Sequence, residues 1–448
     1  MNAAEKLSAF LVKGRLENVP EETVIFIKQL IFKTVAGMLA GTRSLAGERI
    51  INYFRKEKVA EEVSVIGYDF KTSLEKAVLM NGISSHTSEL EDNVFPGAVS
   101  DITLFPVIFP LAEKLKLTGK EFLEACIYGF EVMNRIAIFA IASKGLDGLP
   151  YYGPIGAAAI SAKALRLTER QAQSAVGIAI GRAAGTLTNF GTDAHYLQSA
   201  FACRDGLDAG LLAKADMTGG PLIEKWLGDL FEGVPLDFSP MTTDLGKAPW
   251  FIHKIWVKKY PCCFLTHRQL DILSTLKKEK NFSWSEVASI EAEAGPLDGP
   301  LCDRPSPKTV DDAKFSFQHV FAAMMIDGAI SIDTFTPEKV TDPQYIESRK
   351  KISVKVHKNW PRVIQSGVAK VSVILKSGKV LSGEMEQPFG GEKLPLSHQQ
   401  FVDLFNKFTK GILTSENGNK VINIIMNIEK YKDLKELNNI ITAGLIKK

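Results

Sequence analysis

Apolar residues recur at helical spacing through most of the first 245 positions. Val24, Ile25, Ile27, Ile31, Val35 and Leu39 run on one rhythm until Gly41. Ahead of them, Pro20, Glu21 and Glu22 suit the free N–H groups and the positive end of a first turn. Thr118 to Glu121 opens another helix, carried on through Leu123, Ile127 and Phe130. The stretches Gly156 to Leu165, Gln171 to Ala184 and Ala200 to Ala213 are rich in small residues, which let helices approach closely, so they predict the interior of a bundle. Near residue 250 the period changes. Val287 to Glu293 alternates in part and Ile352 to Val356 alternates cleanly. Val371 to Leu375 and Val380-Leu381 flank Lys376-Ser377-Gly378-Lys379, which reads as a hairpin turn. Phe315 to Ile332 and Pro343 to Arg349 are helical between these strands, and after Pro395 the pattern predicts helices over Gln399 to Lys410, Asn417 to Ile428 and Leu434 to Leu445. The expectation is a mainly α fold with an inserted α+β lid, the helical domain from 1–247 and 396–448 and the lid from 248–395.

Composition narrows the partners. The chain has 448 residues, with 54 Lys+Arg against 51 Asp+Glu and a net charge of +3, so nothing general favours a nucleic acid or a membrane surface. Five cysteines (Cys126, Cys203, Cys262, Cys263 and Cys302) are an odd number in a long chain, which argues against a disulfide framework and for a reducing compartment. The start lacks a basic stretch followed by an apolar one, and the nearest apolar run, Leu104 to Ala112, carries Pro106 and Pro110. A soluble cytoplasmic protein is expected.

Four clusters gather ionisable groups. His86-Thr87-Ser88-Glu89-Leu90-Glu91-Asp92-Asn93 lies in a break between helices; it fits a site for a substrate hydroxyl or a cation, or an acidic loop with a helix cap. If it is helical, His86 and Glu89 share a face, as do Glu89 and Asn93. Gly191-Thr192-Asp193-Ala194-His195-Tyr196 lies between small-residue helices, with His195 either an acid–base group near neutral pH or a loop histidine bonded to a neighbour. Lys258 to His267 falls at the join of the two textures, where pockets form; its lysines suit a carboxylate, whereas adjacent Cys262 and Cys263 make neither a zinc pattern nor an iron–sulfur set. Arg304-Pro305-Ser306-Pro307, with Lys314 and Gln318, offers a planar fork for a carboxylate or a rigid loop and cap. Nucleotide-binding glycine loops, the G-x-S-x-G elbow and H-E-x-x-H do not occur, which leaves cofactor-free acid–base work on a small anion.

The order and spacing of several segments resemble the MmgE/PrpD family. They are Val19 to Arg43, Asn81 to Asp92, Pro106 to Glu113, Gly129 to Val132, Gly156 to Lys163, Arg204 to Leu212, Tyr260 to His267 and Lys314 to Gly328. The resemblance implies a helical domain with an inserted lid, a homodimer, no metal or other cofactor, and proton transfer next to a carboxylate of a small di- or tricarboxylate. It implies a lyase first (dehydratase or decarboxylase), with an isomerase or epimerase, or an inactive binding homologue, as alternatives. The family's acidic segment matches His86, Glu89, Glu91 and Asp92, with Asn93 where threonine is common. Val99-Ser100-Asp101 stands where a histidine is usual, Asp147 falls nearest another, and His195 replaces a lysine, while the lysine before the Tyr-Pro segment is kept as Lys258. The expected site therefore has His195, Glu89, Asp92 and Asp147 as catalytic groups, with His86, Asn93, Tyr152, Lys258 and Arg304 binding the substrate.

Overall fold

The computed structural model describes residues 1–56, 59–99 and 101–446. It is mainly helical, with a small mixed sheet inserted. The helix Glu21–Gly41 lies at the centre of the larger layer, with Ile27, Leu30, Ile31, Phe32, Val35 and Leu39 buried. Helices from the far end of the sequence, His398–Thr409 and Ser415–Met426, pack against it. Phe32 meets Phe401 and Phe405 edge to face at 6.2 and 6.0 Å. Lys28 donates to the carbonyl of Met426 at 2.9 Å and pairs with Glu429 at 2.7 Å.

Among the described residues, Glu21–Gly41 is the one helix whose length and mean hydropathy would let it cross a bilayer, and 83% of that stretch is buried in the fold. The sequence pattern had pointed to Leu104–Ala112 as the nearest such run. Lys28 and Lys33 interrupt the longer one without lowering its average enough to disqualify it.

The small-residue stretches do what their composition predicts. The helices Gly148–Ala164 and Asp193–Lys214 cross so closely that a Cβ on Gly206 would stand 2.3 Å from the Ala157 methyl and 2.6 Å from the Pro154 carbonyl. Only glycine fits there.

In the second layer four strands run in the order Ile352–Val356, Val287–Ala294, Ala369–Leu375, Val380–Met385. The first pair is parallel and sets Ile290 opposite Ile352; the others are antiparallel. The predicted hairpin turn is present, with Gly378 at φ +89°. The predicted Phe315–Ile332 helix is shorter, Phe317–Ile326, because Asp327 ends it and Gly328 turns away at φ +80°.

Two apolar cores result. One draws on residues between Ala3 and Val257 and again between Phe401 and Ile441; the other lies between Cys262 and Leu381. Trp250, Ile252, Ile255 and Val257 belong to the first. At the junction, Asn93 and Trp256 exchange backbone hydrogen bonds of 3.1 and 2.8 Å, which lays the acidic loop beside Lys258.

Candidate active site

The helix Leu74–Thr87 delivers His86 in its last turn. It then ends, and Glu89 takes a left-handed conformation, φ +52°, unusual for a side chain with a Cβ. His86 and Glu89 are therefore brought together by a helix exit, not by one helical face as the spacing suggested. From the other side, Gly191 (φ +84°) turns the chain so that Thr192 starts the helix Asp193–Lys214 with His195 in its first turn. A Cβ on Gly191 would sit 2.3 Å from Nη1 of Arg304. Asp147 stands at the start of Gly148–Ala164, where Oδ1 accepts from the Leu149 N–H at 3.1 Å.

These elements surround a cavity of about 70 Å³. His86, Glu89, Glu91, Asn93, Asp147 and His195 form its polar side. Phe95, Leu149, Leu187, Phe190, Phe264 and Phe315 form much of the rest. The rings of His86 and His195 are 4.4 Å apart at 64°, and Phe190 packs on His195 at 4.4 Å. His86 Nδ1 lies 3.1 Å from Ser199 Oγ. Nδ1 of His195 lies 3.6 Å from Oδ2 of Asp147, too long for a hydrogen bond, and that oxygen accepts from Gln198 at 2.9 Å.

Below the cavity is a buried ion network. Lys258 donates to Glu89 Oε2 at 3.1 Å and to Glu91 Oε1. Lys33 bonds Asp92 and the Leu90 carbonyl. Asp92 also accepts from the Lys258 N–H at 2.9 Å, and its own N–H donates to Asp101 at 2.9 Å. The network leaves Glu89 Oε1, Glu91 Oε2, Asp92 Oδ2 and His195 Nδ1 buried without a hydrogen bond among the described residues.

Burial dominates the titration of these groups. It lowers His195 to about 4, with Glu89 opposing and Lys258, Arg304 and Lys314 assisting. It lowers His86 well below the usual range, helped by His195 and Lys258. It raises Asp147 to about 7 against the Leu149 hydrogen bond, with Glu91 and Glu89 adding repulsion. Glu89 is also raised, by burial and then by Glu91. Asp92 is raised by burial although Lys33 opposes it. For Lys258 burial works against the charge, but Glu91 and Glu89 outweigh it and hold the ammonium above its usual range.

The remaining expected groups lie elsewhere. Asp92 and Lys258 are in the supporting network. Tyr152 is buried behind the wall, where its hydroxyl donates to the Phe139 carbonyl at 3.2 Å. Arg304 is engaged by Asp312 at 2.8 Å, the Phe190 carbonyl at 3.1 Å and the Leu301 carbonyl at 3.0 Å. Ser100, in the segment where a histidine is usual, lies outside the described residues; Val99 beside it pairs with Asn93 along the backbone. The expected site left out Lys33 and Asp101, and Glu91, although part of the acidic segment, was given no role in it. A lysine within the apolar run of Glu21–Gly41 was the available signal for Lys33.

Profiles of the family's two halves match the chain: the MmgE/PrpD N-terminal domain over residues 5–225 and the MmgE/PrpD C-terminal domain over residues 260–430. The chain belongs to the MmgE/PrpD family. It is similar to cis-aconitate decarboxylase of Mus musculus, 25% identical over 91% of this chain and 86% of that one. It is also similar to the cis-aconitate decarboxylase-like protein oryM of Aspergillus oryzae, 24% identical over 99% and 98%, and to cis-aconitate decarboxylase of Aspergillus terreus, 20% identical over 94% and 92%.

Proposed function

We propose that the cavity transfers a proton at a carbon next to a carboxylate of a small di- or tricarboxylate, with His195 as the base and Asp147 as the acid. The observation that carries this is the pair itself. Nδ1 of His195 and Oδ2 of Asp147 stand 3.6 Å apart on the cavity wall, and their surroundings push them in opposite directions, to about 4 and about 7. Between those values the imidazole is free to accept a proton, and the carboxyl holds one to give. For loss of water, His195 takes the proton from carbon as the C–O bond breaks and Asp147 protonates the departing hydroxyl. For loss of CO2, the electrons of the broken C–C bond stay on the substrate carbon framework and Asp147 supplies the one proton they take up, with no proton removed from carbon by His195. Glu89 stands beside His195, where its charge favours the imidazolium that forms.

A substrate carboxylate needs positive potential. Lys258 and Arg304 are already engaged by protein acids, and the positive end of the helix Gly148–Ala164, whose first residues line the cavity and whose Leu149 N–H is capped by Asp147, adds to the potential they supply. Acid and base so close together favour a lyase over an epimerase, which needs them on opposite faces of the carbon. The decarboxylase names of the relatives agree with that order.

The test is incubation of the full chain in D2O with cis-aconitate, 2-methylcitrate and other hydroxy and amino dicarboxylates, followed by NMR. New vinyl signals mark a dehydratase, CO2 release a decarboxylase, and deuterium entry without loss of a group an isomerase. A broad panel without any proton exchange would sink the reading.

A further inference from the structure

Three groups on the cavity wall stand close enough to share one ion. His86, Glu89 and His195 each offer a ligand atom, and these atoms lie within 4.8 Å of one another. The side chains are almost wholly enclosed, with residue exposures of 1%, 1% and 5%. Their bonding leaves lone pairs open. Ser199 Oγ donates its proton to the Tyr196 carbonyl at 2.8 Å, so it accepts from His86 Nδ1–H, and His86 Nε2 keeps its lone pair. Glu89 gives Oε2 to Lys258, while Oε1 has no hydrogen bond among the described residues. The same holds for Nδ1 of His195. Glu91 lines the same cavity and leaves Oε2 without a bond, so a second carboxylate adds negative potential. Two imidazoles and one carboxylate with open positions suit Zn2+ and related divalent transition ions.

We propose that His86, Glu89 and His195 bind one divalent transition-metal ion, and that this ion inhibits the enzyme by occupying the lone pair His195 needs as a base. Metal–ligand bonds of about 2.0–2.1 Å set the ligand atoms roughly 3.4 Å apart, so the three side chains close on the ion by about an ångström. The binding stands on the three ligands alone; only the inhibition rests on the proton-transfer reading above.

The full chain, stripped with EDTA and desalted, is titrated with Co2+ by visible absorption and with Zn2+ by calorimetry. One ion per chain is expected. His86→Ala and His195→Ala weaken it at least about 100-fold. His195→Lys does the same while placing a different base at the position, and far-UV circular dichroism checks that each variant is folded. His357→Asn, at a histidine paired with Glu293 on the sheet, leaves binding unchanged. Absence of one-to-one binding, or equal binding by His195→Lys, overturns the site. In the exchange assay, activity in stripped protein should fall in step with Zn2+ occupancy. Activation by Zn2+ overturns the inhibition. An ion bound through these residues, with no exchange from any substrate, keeps the metal site and removes the proton-transfer reading.

Discussion

His195 and Asp147 set the pH behaviour. The base must be unprotonated, so kcat/KM should rise with pH through about 4, and the acid must be protonated, so it should fall as pH rises through about 7. A pH–rate profile of proton exchange checks both limbs, and Asp147→Asn should remove the upper one. His195→Ala should lower the rate by about 100-fold or more, whereas Cys262→Ala, at a thiol 3.5 Å from Thr266 and off the cavity wall, should change it little. Lys258→Met leaves Glu89 and Glu91 buried without their cation, and chemical denaturation should show a loss of about 3–5 kcal/mol. His86, Glu89 and His195 were legible because each is an ionisable residue in a polar stretch of sequence between apolar segments, whereas Asp147 was reached only through the family resemblance, as the residue nearest a usual histidine. Lys33 and Asp101 were not, because their importance comes from Asp92, which contacts both only in the fold. Arg304 was legible as a cation, but not as one neutralised by Asp312.

At the scale of elements, function depends on how helices begin and end. Gly191→Ala combines a left-handed backbone with a clash against Arg304, so it should cost about 1–3 kcal/mol and displace the first turn that holds His195. Activity should fall with stability. Thr118→Ala, at an exposed capping box with Glu121, should cost about 1 kcal/mol by thermal unfolding and leave activity unchanged. The central helix and the sheet strands were readable from period and the small-residue helices from composition, and Ile352–Val356 agrees at both ends, whereas Leu74–Thr87 and His267–Lys280 were not read as helices. The exit at Glu89 was not readable, since glutamate carries no signal for a left-handed residue. The early stop at Asp327 was marked by Gly328, but Ile330 and Ile332 carried the apolar pattern past it.

At the scale of the molecule, the change of texture near residue 250 and its reversal after Pro395 made the inserted lid legible. The backbone exchange between Asn93 and Trp256 was not, because pairing across so long a loop leaves no local trace. A chain ending at residue 395 would lack Phe401, Phe405 and Phe408 from the larger core. It should lose cooperative unfolding and bind a hydrophobic dye, as measured by near-UV circular dichroism and ANS fluorescence. The docking of late helices on Glu21–Gly41 also sets a timetable for synthesis. Lys28 and the carbonyl it bonds are separated by 398 positions, so at roughly 5–20 residues per second the ribosome needs about 20–80 s to supply the partner. Through that interval the helix whose composition would suit a bilayer has part of its permanent cover missing.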